Sequence, residues 1–185
     1  PGAILVQRVR AQGYSVIPIP GANAAVCALS AAGITNPHFL FYGFLPTKTG
    51  LRQRELTALQ SQTNTLIFYE APHRILECVT DMLVVFGPQR QLTIARELTK
   101  LFETIHVGTL QETLVWLQAD TNQQKGEFVL LDKSEVSEQA RHTLTCLLNE
   151  LPLKQAVKLT TEITGENKNS LYQLALDLKA AKYPE

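Results

Sequence analysis

The sequence predicts an α/β sandwich, with helices covering a central sheet, followed by a small helical appendage. Three observations carry this expectation. Strand-like and helix-like apolar patterns alternate up to about residue 132, as they do where helices pack on a sheet. From there to about residue 140 the apolar pattern lapses into Lys133, Ser134, Glu135, Ser137 and Glu138, which reads as a linker. Beyond it, Leu144, Leu147, Leu148 and Leu151 fall on one face of a helix. The organisation expected is an α/β unit over residues 1–133 and a helical, helix-turn-helix-like unit over residues 140–185.

Each element has its own signal. Pro1 suits a first helical position before Ile4, Leu5 and Val9, and Gly13 stops that helix ahead of a strand-like run at residues 15–19. The opening without Met reads as a cut at the edge of a preceding unit. After the turn at Pro20-Gly21 comes a helix of small residues, 22–32, closed by Gly33; short side chains there let the backbone approach a neighbour or a ligand. Residues 39–44 read as a strand, 45–50 as a loop, 51–59 as a helix and 65–69 as a buried strand. Ala71-Pro72 opens an amphipathic helix with Ile75, Val79, Met82 and Phe86 on one face, ended by Gly87-Pro88. Strands are expected at 92–95, 103–107 and 127–131, and Thr109 with Glu112 spells a capping box for a helix burying Leu110, Leu114 and Leu117. In the tail, Pro152 restarts the chain, and residues 154–164, Gly165 and 169–179 fit helix, turn and helix.

Composition narrows the function classes. A chain of 185 residues with 45% apolar content and 18% charged residues can bury a core of its own. Seventeen Lys and Arg balance seventeen Asp and Glu, so the global field of a strongly cationic nucleic-acid binder is absent and any RNA contact must come from a local patch. The tail is equally even, which favours its docking against protein over groove binding. Cys27, Cys78 and Cys146 are far apart and lie in apolar stretches, the pattern of reduced thiols in a cytoplasmic protein with neither disulfide nor metal site. No run is long and apolar enough for a membrane span.

The common catalytic signatures are missing: no Gly-x-Gly-x-x-Gly, no Walker loop, no His-Glu-x-x-His, no Gly-x-Ser-x-Gly. What remains are polar residues following apolar runs at strand ends, where open α/β sheets bind ligands. Tyr69-Glu70-Ala71-Pro72-His73-Arg74, Ala95-Arg96-Glu97-Leu98-Thr99-Lys100 and Lys125-Gly126-Glu127 are the prominent ones.

These strings also carry a resemblance. Pro18 to Gly21 with Ala24-Ala25 and Ala28-Leu29-Ser30-Ala31-Ala32-Gly33 resembles the small-residue helix after "PG" in the tetrapyrrole methylases. Phe41-Tyr42-Gly43-Phe44-Leu45-Pro46, Leu66-Ile67-Phe68-Tyr69-Glu70-Ala71-Pro72-His73-Arg74, Ala95-Arg96-Glu97-Leu98-Thr99-Lys100 with Glu103, and Lys125-Gly126-Glu127-Phe128-Val129 follow in order. Together they look like the branch that methylates the 2'-hydroxyl of a decoding-centre cytidine in 16S rRNA. The tail strings Leu151-Pro152-Leu153-Lys154 and Asn169-Ser170-Leu171-Tyr172 resemble the same branch, so the likeness covers essentially the whole chain. It implies a mixed five-stranded sheet flanked by helices, S-adenosyl-L-methionine as cofactor, the small ribosomal subunit as substrate and a homodimer as assembly. It also implies a partner within the same protein. The family's amino-terminal domain, with its Gly-rich strand turn and Asp-Ala-Gly-Thr-Pro segment, is represented here only by Pro1-Gly2, and the cofactor lies in the cleft between the two domains. On that expectation the chain holds one wall of the cleft and is inactive alone.

Transferred onto this sequence, the resemblance puts Asn23, Ala24, Glu70, Leu98, Gly126 and Glu127 beside the cofactor. Methyl transfer to a ribose hydroxyl needs a near in-line approach and removal of a weakly acidic proton, which points to Glu97, Lys100 and Glu103. A carboxylate there either takes the proton or orients the ribose, and Lys100 binds phosphate or steadies developing alkoxide charge; a solvated ion-pair network is the bland alternative. Lys48, Arg52 and Arg54, next to Phe41, Tyr42 and Phe44, are expected to face RNA. Two rival readings are a methyltransferase of a tetrapyrrole or another small molecule, and a non-catalytic binding or dimerisation module. The Glu-Leu-Thr-Lys turn and the cationic loop weigh toward rRNA.

Overall fold

The computed structural model describes residues 2–62, 64–133, 136, 138–166 and 168–182. Its helices are α1 (Gly2–Ala11), α2 (Ala24–Ala31), α3 (Thr49–Leu59), α4 (Ile75–Phe86), α5 (Leu110–Ala119), α6 (Glu138–Glu150), α7 (Leu153–Thr164) and α8 (Lys168–Lys182). The strands are β1 (Phe39–Phe44), β2 (Thr65–Glu70), β3 (Gln91–Arg96), β4 (Thr104–Thr109) and β5 (Phe128–Lys133). They form one mixed sheet in the order β1-β2-β5-β3-β4, with β1 parallel to β2 and the other three pairings antiparallel. This is the α/β class with a helical tail that the apolar patterns predict, and the mixed five-stranded sheet that the resemblance implies.

The three inner strands are buried almost throughout, because helices cover both of their faces. On one face, Leu66, Phe68, Leu92, Ile94, Phe128 and Leu130 pack against Leu56 and Leu59 of α3, Ile75, Cys78, Val79 and Met82 of α4, and Leu110 and Leu117 of α5. On the other, Ile67, Ala95, Val129 and Leu131 meet Ala25 and Ala28 of α2. Leu110 and its neighbours are set by the expected capping box: Thr109 and Glu112 exchange hydrogen bonds at the start of α5. In α6 to α8, Ala140, Leu144, Ala156, Val157, Leu171 and Ala175 form a third cluster, and Gly165 closes α7 in the left-handed conformation.

Most element ends shift by one or two residues from the sequence expectation, and three differences are larger or have a clear cause. Residues 15–19 join no strand ladder, and Ile17 and Ile19 are exposed; strand propensity without a paired neighbour makes no sheet. The helix expected from Ala71-Pro72 begins at Ile75, after a turn. The last strand runs on to Lys133 because Asp132 is buried in it, held by Arg90 through contacts of 2.6, 3.0 and 3.2 Å. A buried carboxylate answered by a guanidinium fork leaves no trace in an apolar pattern.

Candidate functional site

Strand direction decides where a ligand can sit. β1, β2 and β3 run one way and β5 runs against them, so three strand ends and the start of β5 share one edge. A cavity of about 440 Å³ opens there, within the range of small-molecule sites. Its wall takes Ala24 from the start of α2, Phe44 from β1, and Tyr69, Glu70, Ala71 and Pro72 from the end of β2; Ala95, Leu98, Glu127, Phe128 and Val129 complete it. Ala24, Ala71 and Ala95 bring backbone close to the space. Phe44, Tyr69, Ala71, Pro72, Ala95, Phe128 and Val129 are wall residues that the motif strings contain but do not assign to a ligand; their places at or next to strand ends are the signal that could have found them.

The aromatic side of the wall depends on a bulge. Phe41 and Phe44, three positions apart, would face opposite sides of a regular strand. The pairing slips between Phe41 and Gly43, where Gly43 has φ 86°, and both rings come to Tyr69, at centroid distances of 4.9 and 5.8 Å. The Tyr69 hydroxyl accepts a hydrogen bond from the Ala25 N–H at 3.2 Å, so Tyr69 is both packing and wall.

Of the residues expected beside a ligand, Ala24, Glu70, Leu98 and Glu127 line the cavity. Asn23 and Gly126 stand next to it in sequence and shape it. Asn23 Oδ1 accepts from the N–H groups of Ala25 and Val26 at 3.0 and 3.2 Å, which caps α2 and fixes where Ala24 lies. Glu70 alternates with Tyr69 along the strand, so its carboxylate turns to the α4 side. There Oε1 accepts from the Ala71 N–H and from Arg74 Nε, each at 2.7 Å, and Oε2 is buried without a hydrogen-bond partner. Burial first, and then the neighbouring Glu70 carboxylate, push the Cys78 thiol well above its ordinary range.

The turn after β3 gathers the three groups expected to act on a reacting atom. Lys100 Nζ donates to Glu97 Oε1 at 2.8 Å and to Glu127 Oε2 at 3.0 Å. Glu103 Oε2 accepts from the Thr99 N–H at 2.6 Å. Lys100, and then the Glu127 N–H, hold Glu97 below the usual carboxylate range, while Glu97 and Glu127 raise Lys100. Lys100 is thus a persistent cation, and Glu97 a weak proton acceptor. Arg96, next in line, is buried and donates to the carbonyls of Asn122 and Lys125 at 3.2 and 3.1 Å, tying the loop before β5 to this turn.

The cationic loop needs a correction. Arg52, expected to face RNA, is fully buried. It pairs with Asp81 at 2.6 Å and donates to the carbonyls of Pro46 and Thr47, so it fastens the loop to α4. A Lys and two Arg in one stretch of sequence look alike, but the helical period turns position 52 inward. Lys48, just before α3, and Arg54, on its outer side, are exposed, so the expected cationic loop is for the most part the first turns of a helix with two of its three cations at the surface.

Comparisons with known proteins agree with this architecture. The chain is 48% identical over 184 residues to the ribosomal RNA small subunit methyltransferase I of Pseudomonas aeruginosa, a match covering 95% of this chain and 65% of that protein. With the protein of that name from Escherichia coli O157:H7 the identity is 44% over 183 residues, covering 96% and 64%. The chain thus spans about 65% of the length of the curated relatives it matches. Among solved structures, the methyltransferase CobJ superposes with a TM-score of 0.52 at 18% identity, over 73% of this chain and 61% of that one. Cobalt precorrin-4 methyltransferase CbiF does so at 0.51 and 17%, over 70% and 58%; both show the fold alone. A family model for an RsmI C-terminal HTH domain matches residues 134–179. That for Tetrapyrrole (Corrin/Porphyrin) Methylases matches residues 1–114, and the chain belongs to the tetrapyrrole methylase family.

Proposed function

We propose that the protein carrying these residues is an S-adenosyl-L-methionine-dependent 2'-O-ribose methyltransferase, acting on the decoding-centre cytidine of 16S rRNA in the small ribosomal subunit. The observation that carries this is the cavity at the carboxyl ends of β1, β2 and β3, with the Glu97, Lys100 and Glu103 cluster on its Leu98 side. The names of relatives 44 to 48% identical along nearly the whole chain support rRNA as substrate. The fold likeness to enzymes of 17 to 18% identity says nothing of substrate.

The residues present fit the cofactor. The volume suits it, alanines keep the wall close, and no described residue accepts a hydrogen bond from the Leu98 N–H. Bound, the cofactor supplies a methyl group on a positive sulfonium. Ala24, Glu70, Leu98 and Glu127 would hold it mainly by backbone groups, with Asn23 and Gly126 shaping the wall. Lys100, cationic at neutral pH, steadies the developing oxyanion or binds a phosphate, and Glu97 or Glu103 orients the ribose or accepts its proton. Lys48 and Arg54 contact RNA phosphates. The separate cluster in α6 to α8 supports a division into an α/β unit, 1–133, and a helical unit, 140–185, whose balanced charge suits protein contact within a homodimer. The ribosome as substrate puts the enzyme in the cytoplasm. The 185 residues alone are expected to transfer no methyl group.

The test is methylation of small ribosomal subunits by the full-length protein with labelled cofactor, followed by mapping of the modified nucleotide. Label on a 2'-oxygen of 16S rRNA is the expected result. Label only on a small molecule, or none, overturns the proposal.

A further inference from the structure

The turn that carries Leu98 is held in a way that packing does not require. Glu97 and Thr99, on either side of it, have φ 51° and 64°, and they are the only described residues other than glycine in the left-handed region. Such backbone persists where its surroundings over-determine it, and it concentrates at ligand sites. Here the surroundings are specific. The Glu97 N–H donates to the Glu127 carbonyl at 3.0 Å, and the Glu127 N–H returns the bond to Glu97 Oε1 at 2.9 Å. The same Oε1 accepts from Lys100 Nζ at 2.8 Å. Gly126, at φ 97°, leaves the space in which the Glu97 side chain lies: a Cβ there would sit 2.4 Å from its Cγ and 2.6 Å from its Cδ and Oε1. Three constraints converge on one side chain, and the residue that follows it, Leu98, lines the cavity and carries an N–H for which no described residue is the acceptor.

We infer that Glu97 is a positioning residue, which locks the 97–100 turn so that the Leu98 amide meets the ligand in the cavity, and that it does not take the substrate's proton. This rests on the proposed adenosyl cofactor and gives Glu97 a role apart from orienting the ribose or accepting its proton, which then fall to Glu103. Both of its accepted hydrogen bonds use one oxygen, so an amide side chain can replace it.

The experiment compares the full-length wild type with Glu97→Ala, Glu97→Gln and Gly126→Ala. It measures calorimetric affinity for S-adenosyl-L-homocysteine, which undergoes no transfer, the Leu98 amide resonance, and methylation at saturating cofactor. Glu97→Ala should weaken binding about tenfold or more, the scale of one well-placed hydrogen bond, and abolish the ligand-induced shift of the Leu98 resonance. Glu97→Gln should recover most of that affinity, the Leu98 shift and the methylation lost in Glu97→Ala. Gly126→Ala, reaching the turn from the other side, should resemble Glu97→Ala, and circular dichroism shows whether each variant is folded. Unchanged affinity and Leu98 shift in a folded Glu97→Ala or Gly126→Ala overturn the inference. So does a Glu97→Gln variant that binds well yet methylates a hundredfold more slowly, since that is the behaviour of a lost base. Failure of the wild type to bind the ligand overturns instead the cofactor assignment beneath it.

Discussion

On one face of the sheet three helices bury leucine, isoleucine, phenylalanine and methionine; on the other an eight-residue helix lays Ala25 and Ala28 against Ile67, Ala95, Val129 and Leu131. The thick face holds the large side chains, with Phe68, Met82 and Leu130 fully enclosed. The thin face brings main chain close to main chain, and the cavity opens at its end. Alanines contribute little burial, but they leave the N-terminus of α2, the Tyr69 hydroxyl and the Leu98 turn around one space. The difference suggests a division of labour in which one side supplies stability and the other spends it on access.

That division can be broken most severely on the thick side. Arg52→Ala leaves Asp81 buried without its counter-charge, with only the Gln53 amide donating to it at 2.7 Å, a change that typically costs about 3–5 kcal/mol; urea denaturation should show a loss toward the lower end of that range. A loss below about 1 kcal/mol would mean that the buried pair does not fasten the loop. On the thin side, Ala28→Leu overpacks a residue with no exposure and should cost about 1–3 kcal/mol. Its sharper consequence is for the ligand: moving α2 should weaken adenosyl-ligand binding. A variant destabilised to the same extent by Met82→Ala should keep that binding, and equal losses in both would erase the distinction between the faces.

The next test leaves stability alone. Replacing Lys48 and Arg54 by alanine should change stability by no more than about 0.5 kcal/mol but weaken RNA binding. If each meets one phosphate of a single strand, the slope of log affinity on log salt should fall by about 1.4. An unchanged slope removes them from the RNA surface. The smallest effect concerns His106, stacked on Trp116 at 4.2 Å. Burial holds His106 below its ordinary value of 6.5, against the opposing pull of Glu112. The unfolded chain therefore takes up this proton first, and stability present above pH 6.5 declines as pH falls below it. Melting temperatures across that window should flatten in His106→Phe, which keeps a ring on Trp116; an unchanged slope would assign the acid sensitivity to other groups.

Much of the thick face was legible beforehand. Thr65 to Tyr69 reads as a strand because both of its faces are covered, and Ile75, Val79 and Met82 fall at helical spacing on one side. The capping box of Thr109 and Glu112 is local chemistry that sequence spells out directly. What escaped was long-range. Nothing near Arg52 announces Asp81, twenty-nine residues away, and nothing near Asp132 announces Arg90. The site was legible as strings at strand ends, but not the direction of its side chains. Glu70 turns away from the cavity that its backbone lines, and Gly126 matters through Glu97, which no spacing rule connects to it.

The strand order carries a further consequence, for assembly. β5 is the last strand in sequence and the central one in space, flanked by β2 and β3. Until residue 133 has emerged from the ribosome, the β1-β2 pair and the β3-β4 hairpin each present an unpaired inner edge rich in apolar side chains, linked through α4 against α5 but not through the sheet. Sheets closed by such distant pairings form slowly and leave edges open to association meanwhile. A chain halted before Phe128 should therefore keep a split sheet with two open, aggregation-prone edges. The final strand then works as a keystone, and its arrival brings Glu127 against the turn of Glu97 and completes the cavity wall in the same step.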